Sequence, residues 1–314
     1  MKKRKLIISM IFLGLIAVAL ALGIVILHSY KQQSSAQPED LHLRGDGVYF
    51  NVFTEDTRNE TAMGMFENVS NDTVFYASIQ NSGKERDMQL TAYLDYEEVP
   101  ITILEDDYKA DQIHLKDQDN IVVPFKVDAD INPDQNHKFL ISLFFGTDVH
   151  ASEVDIQSNR YALSYDYFIK NCGHTEYSFN EGTKADSTFC DLDFPSVMLN
   201  TDFDSSMDGV KQPTLELEVM AGEKFDLAYR IGKMGDATQQ LLIVTIDYHQ
   251  AQMNGSNYLL VDTKERQTAF GTVTLEAPSQ QGLYEICALV VPDPSAVNPF
   301  VPLENAYRFT LRVS

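Results

Sequence analysis

Five aspartates in one irregular stretch of the chain are the side chains best suited to bind a metal ion. They are Asp191, Asp193, Asp202, Asp204 and Asp208. Calcium prefers such hard oxygen ligands, so an irregular calcium site is one prediction. A solvated acidic surface is the other interpretation, because most acidic clusters are only solvated surface.

The same stretch departs from an EF-hand loop at two positions. Alternate residues from Asp202 to Asp208 have the spacing of the first ligands of such a loop. However, Met207 stands where the loop needs glycine, and Pro213 stands where the final glutamate belongs. The sequence therefore disfavours an EF-hand and predicts no cofactor other than this calcium ion.

Cys172 and Cys190 are predicted to form a disulfide outside the membrane, where thiols can oxidise. They lie close together in a polar, irregular stretch, and bridging them would stabilise the fold by about 3 kcal/mol. Cys287 lies in a predicted strand and would be left over. The other two pairings and a fully reduced chain stay open as alternatives.

Catalytic motifs are absent from the sequence. The chain contains no GxSxG, no HExxH and no phosphate-binding glycine loop. Its seven histidines are scattered, without a metal-ligand pair at short spacing. The sequence therefore predicts no catalytic residue and a protein that is not an enzyme, with a calcium-dependent or hydrolytic ectodomain as the second alternative.

A proline-rich loop in the second half of the chain is the clearest candidate for binding a partner. It spans residues 292–303 and joins two predicted strands, and its prolines reduce the entropy that binding would cost. An apolar tip would contact the partner, or would pack back onto the domain. The candidate contact residues are Pro292, Pro294, Pro299, Phe300 and Val301.

Alternating apolar residues dominate the chain after residue 45 and define the elements that position these candidates. Period two is typical of β-strands with one buried face, and turn signals such as residues 81–83 (Asn-Ser-Gly) separate the runs. The sequence predicts an all-β ectodomain with two tandem immunoglobulin-like β-sandwiches, at residues 45–168 and 169–314. Clear examples of the alternation are Val48, Phe50, Val52, Phe225, Leu227, Tyr229, Ile231, Phe309, Leu311 and Val313.

Two segments resemble known sandwich modules. Residues 74–127 combine a strand, the turn at 81–83, a strand ending at residues 93–95 (Tyr-Leu-Asp) and a strand at 121–127. Residues 282–287 (GLYEIC) are similar to the Gly-x-Tyr-x-Cys strand of immunoglobulin folds. Together they resemble the adhesion-type immunoglobulin-like modules of bacterial surface proteins, such as CARDB domains. The resemblance implies a sandwich fold and, loosely, a binding or spacing role.

One strand in the second predicted domain is apolar on both faces. Tyr284, Ile286, Ala288 and Val290 form one face, and Cys287, Leu289 and Val291 form part of the other. A half-exposed strand would not show this pattern. We expect the second face to be covered by residues 172–210 or by the first domain, unless the strand is buried on both faces within one domain.

A membrane anchor is predicted at the start of the sequence. Leu6–Leu27 contains 22 uncharged residues, about 33 Å as a helix, and four basic residues precede it. The positive-inside rule then gives a cytoplasmic tail at 1–5, a transmembrane helix at 6–28 and an extracellular tether at 29–44. A cleavable secretory signal is the alternative, although the apolar run is long for one.

The charge balance restricts the partners of the ectodomain. From Lys31 onward there are 20 basic and 46 acidic residues, a net charge of −26. Such a chain repels nucleic acid, so nucleic-acid binding is excluded. Solubility is the ordinary role of so acidic a surface.

These patterns predict a single-pass, signal-anchored protein of a cell envelope, of Gram-positive type. Its extracellular domains would bind or position another envelope protein without catalysis, through the proline-rich loop and the doubly apolar strand. An adhesin or glycan-binding surface module is the alternative. The chain contains no tryptophan, the residue on which flat sugar-binding platforms most depend.

Overall fold

The computed structural model describes residues 46–55, 64–153, 162–173, 177, 183–191, 196–202, 214–297 and 300–314. Within those ranges, no helix has the length and apolar character needed to cross a membrane. Leu6–Leu27 and the tether lie outside the described residues, so the signal anchor stays a prediction.

Ten strands and one 3-10 helix, Ala151–Glu153, form the first half of the described chain. The strands are β1 (Gly47–Thr54), β2 (Met65–Glu67), β3 (Phe75–Ser82), β4 (Arg86–Leu94), β5 (Glu97–Val99), β6 (Ile101–Ile103), β7 (Ile113–Leu115), β8 (Asn120–Val127), β9 (His137–Phe145) and β10 (Ala162–Lys170).

Thirteen strands follow in the described part of the second half. They are β11 (Thr183–Lys184), β12 (Thr188–Cys190), β13 (Val197–Asn200), β14 (Glu216–Val219), β15 (Lys224–Gly232), β16 (Gln239–Ile246), β17 (His249–Gln250), β18 (Leu259–Asp262), β19 (Thr268–Glu276), β20 (Gly282–Pro292), β21 (Phe300–Pro302), β22 (Glu304–Asn305) and β23 (Phe309–Val313).

These strands are arranged in four sheets. Sheet 1 has the order β1-β3-β8-β6, and sheet 2 has the order β2-β10-β9-β4-β5, with β7 beside β4 and β21 beside β10. Sheet 3 has the order β11-β18-β16-β20-β23-β14, with β17 beside β16 and β22 beside β20. Sheet 4 has the order β12-β19-β15-β13. The predicted all-β fold class is confirmed for the described residues.

The alternating residues build one core between sheets 1 and 2. In β1, Phe50 and Val52 are buried and lie opposite Ile79 and Ala77 of β3. The inward residues of β8, β9 and β10 complete the same cluster, because each strand turns every second side chain towards it. The two sheets therefore form a β-sandwich.

A second core lies between sheets 3 and 4. Leu227, Tyr229 and Ile231 of β15 are buried there against Val244 of β16 and Ala288 of β20. This cluster contains the first of the two apolar faces of β20, as the sequence pattern predicts. Sheets 3 and 4 form the second sandwich.

A third apolar layer joins the two sandwiches face to face. Leu140 and Phe144 of sheet 2 pack in one buried cluster with Leu241, Cys287 and Leu289 of sheet 3. The second apolar face of β20 is therefore covered by the first sandwich, one of the alternatives that the sequence leaves open. Residues 45–314 accordingly form one compact unit.

Candidate functional site

The outer face of sheet 1 is the part of the described surface best suited to contact another protein. Because Phe50 and Val52 point into the core, Tyr49, Asn51 and Phe53 point outward from β1. The alternate residues of β3, β6 and β8 continue this surface across the sheet. We call it the neutral face.

Large apolar side chains are exposed on the neutral face. Tyr49 of β1 is 51% exposed, Val122 of β8 is 38% exposed, and Leu104, which follows β6, is 46% exposed. These are three of the five exposed large apolar side chains in the described part of the chain, the others being Leu215 and Met220. Their concentration on one face is what an interaction surface requires.

Charge is almost absent from the same strands. Lys126 of β8 is the single charged residue in β1, β3, β6 and β8, whereas 22% of the whole chain is charged. Its ammonium lies 3.5 Å from the carboxylate of Asp72. By contrast, the outward side chains of β15 in sheet 4 include Lys224, Asp226 and Arg230. The neutral face therefore presents no carboxylate from its own strands.

Two aromatic rings on the neutral face are stacked on each other. Phe53 and Tyr76 lie opposite each other across β1 and β3, with ring centroids 5.4 Å apart and ring planes 10° apart. The facing sides of these rings are in mutual contact.

Each sandwich contains a buried ion pair. Lys138 and Asp166 of sheet 2 are 2.7 Å apart, and each side chain is 1% exposed. Arg308 and Glu285 of the second sandwich are 3.1 Å apart and equally buried. Removing one member of such a pair leaves an uncompensated buried charge, which is strongly destabilising.

The Arg308–Glu285 pair also connects the two sandwiches. The Arg308 guanidinium donates hydrogen bonds to the carbonyl oxygens of Gly146 and Val149, at 2.8 and 2.6 Å. The backbone N–H of Ala151 donates to the Glu285 carboxylate at 3.2 Å. All three backbone groups lie just after β9, so the pair ties the second sandwich to the first.

The structure describes the backbone of most of the predicted proline-rich loop. Pro292 ends β20, the Pro294 carbonyl accepts a 2.8 Å hydrogen bond from Tyr96, and Pro299 lies outside the described residues. The backbone of Phe300 and Val301 pairs with Tyr167 and Asp166 of β10 in sheet 2. The backbone at residues 300–302 thus pairs with the first sandwich, and we call residues 293–297 and 300–303 the strap.

A groove where the two sandwiches meet contains a histidine–carboxylate pair that the sequence did not reveal. The groove has a volume of about 450 Å³. Nδ1 of His249, on β17, lies 2.7 Å from the carboxylate of Glu98, on β5. Nε2 of His249 lies 3.3 Å from the side-chain amide of Gln89. Both ring nitrogens of His249 thus have a partner from the first sandwich.

The His249–Glu98 pair makes the junction between the sandwiches weakly dependent on pH. The hydrogen bond that the His249 imidazole donates to the Glu98 carboxylate raises the pKa of His249 above its ordinary value. A raised pKa gives a stabilisation that is present below the ordinary pKa of histidine and lost as the pH rises through the folded-state pKa.

Replacing His249 with alanine should therefore cost more stability at pH 5.5 than at pH 9. We expect a loss of no more than about 1 kcal/mol at pH 5.5, because the imidazole is largely exposed. Urea unfolding of the wild type and of His249→Ala at the two pH values measures this loss. In a Glu98→Gln background, His249→Ala should cost the same at both pH values. An equal loss at both pH values would contradict this role.

The predicted calcium ligands are only partly described. Asp202 lies in an open cleft of about 750 Å³ on the outer face of sheet 4, with Asp186 and Asp226 from other elements. Asp191 accepts a 2.8 Å hydrogen bond from Gln267. No group of three or more potential metal ligands comes together among the described residues. Asp193, Asp204 and Asp208 lie outside them, so the calcium site stays a prediction.

The predicted disulfide is not formed in the structure, in which Cys172 and Cys190 are both thiols. Cys172 follows β10 of sheet 2, whereas Cys190 ends β12 of sheet 4. Sheet 3 lies between those two sheets. Cys287 is buried in the layer between the sandwiches, and burial raises its pKa to about 12.

Comparisons with known proteins find similarity at the level of fold. No family model matches the chain, and no curated protein matches its sequence. The CARDB domain of a Pyrococcus furiosus protein, solved with two metal ions, matches with a TM-score of 0.23 and 14% identity. That match covers 44% of this chain and 99% of the domain.

Longer sandwich structures match in the same way. Fibronectin(III)-like modules of CbhA from Clostridium thermocellum match with a TM-score of 0.20 and 9% identity, over 84% of this chain and 93% of theirs. A chaperone–tip adhesion subunit complex of Csu pili from Acinetobacter baumannii matches with a TM-score of 0.26 and 10% identity. That match covers 85% of this chain and 99% of the other. The resemblance to bacterial immunoglobulin-like sandwiches is confirmed as one of fold alone.

Proposed function

We propose that the chain is a single-pass, signal-anchored protein of a Gram-positive type of cell envelope, whose extracellular sandwiches bind or position another protein without catalysis. The observation that supports this proposal is the neutral face. A surface with exposed apolar side chains and no carboxylate on its own strands is exceptional in so acidic a chain. The partner accordingly has an uncharged, apolar contact surface.

The layer between the sandwiches supports a positioning role. A two-domain chain with a small polar interface would let its domains move relative to each other. Here Leu140 and Phe144 pack with Leu289, and a hydrogen bond from Arg308 to the Gly146 carbonyl oxygen crosses the same boundary. Such a body holds a partner bound to the first sandwich in a fixed orientation relative to the second sandwich.

The doubly apolar strand and the strap do not serve as the contact surface in this proposal. The second face of β20 is occupied by the first sandwich, and the strap backbone pairs with β10. The neutral face replaces them, because its apolar residues are exposed in the compact unit.

Crosslinking the full chain in native membranes, followed by mass spectrometry, tests the proposal. We expect one reproducible protein partner, with crosslinks to β1 and β8, recovered at least several-fold less with Val122→Asp or Tyr49→Asp. A carboxylate placed among apolar contacts must lose its hydration on binding, which reduces affinity. Met220→Asp is the matched control, since Met220 is 68% exposed and lies outside sheet 1.

Two results would count against the proposal. Recovery of the same partner at the same level with Val122→Asp would exclude the neutral face as the contact surface for that partner. Loss of the chain from alkali-washed membranes would exclude the anchor and favour a cleaved secretory signal.

A further inference from the structure

A lysine and an aspartate are held side by side in the layer between the sandwiches. Lys138 lies on β9 and Asp166 on the neighbouring antiparallel strand β10, where Lys138 is opposite Phe168 and Asp166 is opposite Leu140. The Lys138 Nζ lies 2.7 Å from the Asp166 Oδ2, and both side chains are 1% exposed. The residues opposite them, Leu140 and Phe168, are fully buried.

The hydrogen bonding of this pair is incomplete. Oδ2 of Asp166 accepts from Lys138, and the hydroxyl of the fully buried Tyr96 lies 3.4 Å away. Oδ1 of Asp166 has no hydrogen-bond partner among the described residues. A buried ionised carboxylate with one oxygen unpaired is costly, so this site favours the neutral acid.

Burial favours the neutral acid for a second reason. It raises the pKa of Asp166, and the charge of Lys138 only partly opposes this effect. Transfer of one proton from the lysine ammonium to the carboxylate gives a neutral amine beside a neutral carboxylic acid. These are the reactive forms for amide formation, held in contact distance and shielded from water.

We propose that Lys138 and Asp166 condense into an intramolecular amide bond that covalently joins β9 to β10. The lone pair of Nζ attacks Cγ of Asp166 and forms the N–C bond. The C–O bond to one carboxyl oxygen then breaks, and this oxygen leaves as water with its own proton and one proton from the amine. No oxidant, reductant or other reactant is needed.

Tyr96 is placed to assist this step. Its hydroxyl lies 3.4 Å from Oδ2 of Asp166 and 2.8 Å from the Pro294 carbonyl oxygen, and either oxygen can accept its proton. A hydrogen bond to Oδ2 withdraws electron density from Cγ and stabilises the negative charge that develops on oxygen during attack. Tyr96→Phe should therefore slow amide formation without preventing it.

The product resolves the unfavourable features of the site. Condensation removes both buried charges and one of the two carboxyl oxygens, and it leaves a neutral amide. The bond also fixes β10 at the residue whose backbone pairs with Val301 of the strap. The bond would thus hold β9 and β10 together where the strap pairs with the first sandwich.

Intact mass spectrometry of the denatured full chain tests this inference without any variant. We expect a mass lower by about 18 Da, one water, than the sequence requires. After proteolysis, fragmentation should identify a branched peptide that contains both residues. Wild-type protein found only at the sequence mass would overturn the proposal.

Variants distinguish the amide from dehydration of an aspartate to a cyclic imide, which causes the same mass change. Lys138→Arg keeps the positive charge but should restore the full mass, as should Asp166→Ala. A mass deficit that persists in Lys138→Arg would also overturn the proposal. The outcome is independent of the proposed partner binding, because the readout requires no partner.

Discussion

Replacing Arg308 with methionine is expected to lower the free energy of unfolding by about 3–5 kcal/mol, because Glu285 would keep a buried charge without its partner. Glu285 is 1% exposed, and its carboxylate lies 3.1 Å from Nε of Arg308. The substitution also removes the donors to the carbonyl oxygens of Gly146 and Val149. Urea unfolding followed by fluorescence or circular dichroism measures the change.

A matched control lies four residues further along the chain. Arg312 of β23 forms an ion pair with Glu216 at 2.6 Å, but the two side chains are 45% and 35% exposed. Exposed ion pairs contribute no more than about 1 kcal/mol, so Arg312→Met should have a small effect. Equal losses for the two variants would show that the Arg308 pair is not the buried link described here.

Truncating Phe144 to alanine is expected to lower the free energy of unfolding by about 3–5 kcal/mol, the range for large buried aromatic residues. Phe144 is fully buried in the layer between the sandwiches, and its ring centroid lies 5.1 Å from that of Tyr248 in the second sandwich. The cavity would open between sheets 2 and 3, not within either core. Chemical denaturation measures the loss.

Two further measurements make this second prediction specific. Leu104→Ala, at a position 46% exposed on the neutral face, should change stability by less than about 0.5 kcal/mol. A double-mutant cycle of Phe144→Ala with Tyr248→Ala should give a coupling energy of at least about 0.5 kcal/mol, as expected for residues in contact. A loss below about 1 kcal/mol for Phe144→Ala would mean that the two sandwiches are not joined by this layer.

The strands of the two cores were predictable from the sequence because each keeps a period of two. Phe50 and Val52 alternate with outward residues, and so do Leu227, Tyr229 and Ile231. The pattern reports burial directly, since each side chain of a strand faces either the core or the outside. The two apolar faces of β20 were equally visible.

The neutral face could have been found in the sequence but was missed. Its signal is the near absence of charge in four separate strands, which becomes one surface only when β1, β3, β8 and β6 lie side by side. The clearest sequence signal for a partner site was instead the cluster of prolines at residues 292–303. Prolines restrict a chain but do not show what it packs against, and the structure joins this segment to β10.

The disulfide prediction failed for a related reason. Residues 18 positions apart can be close in space or on opposite sides of a sheet, and Cys172 and Cys190 belong to different sandwiches. Likewise, the pairing of Lys138 with Asp166 depends on the register of β9 against β10. Neither register nor sheet order follows from the composition of a single strand.

The sequence by itself determined the β-class of the described chain, its acidic character and the two-faced burial of β20, because these depend on residue type and short-range periodicity. The absence of any recognised catalytic motif is also a property of sequence alone. Tertiary structure decided which surfaces are covered and which side chains meet. In the folded chain, the second face of β20 packs against the first sandwich, and the strap backbone pairs with β10 of sheet 2. Lys138 is buried beside Asp166, and the neutral face stays exposed. The physical reason is that an apolar face must be buried, but its partner is chosen by the packing of all four sheets.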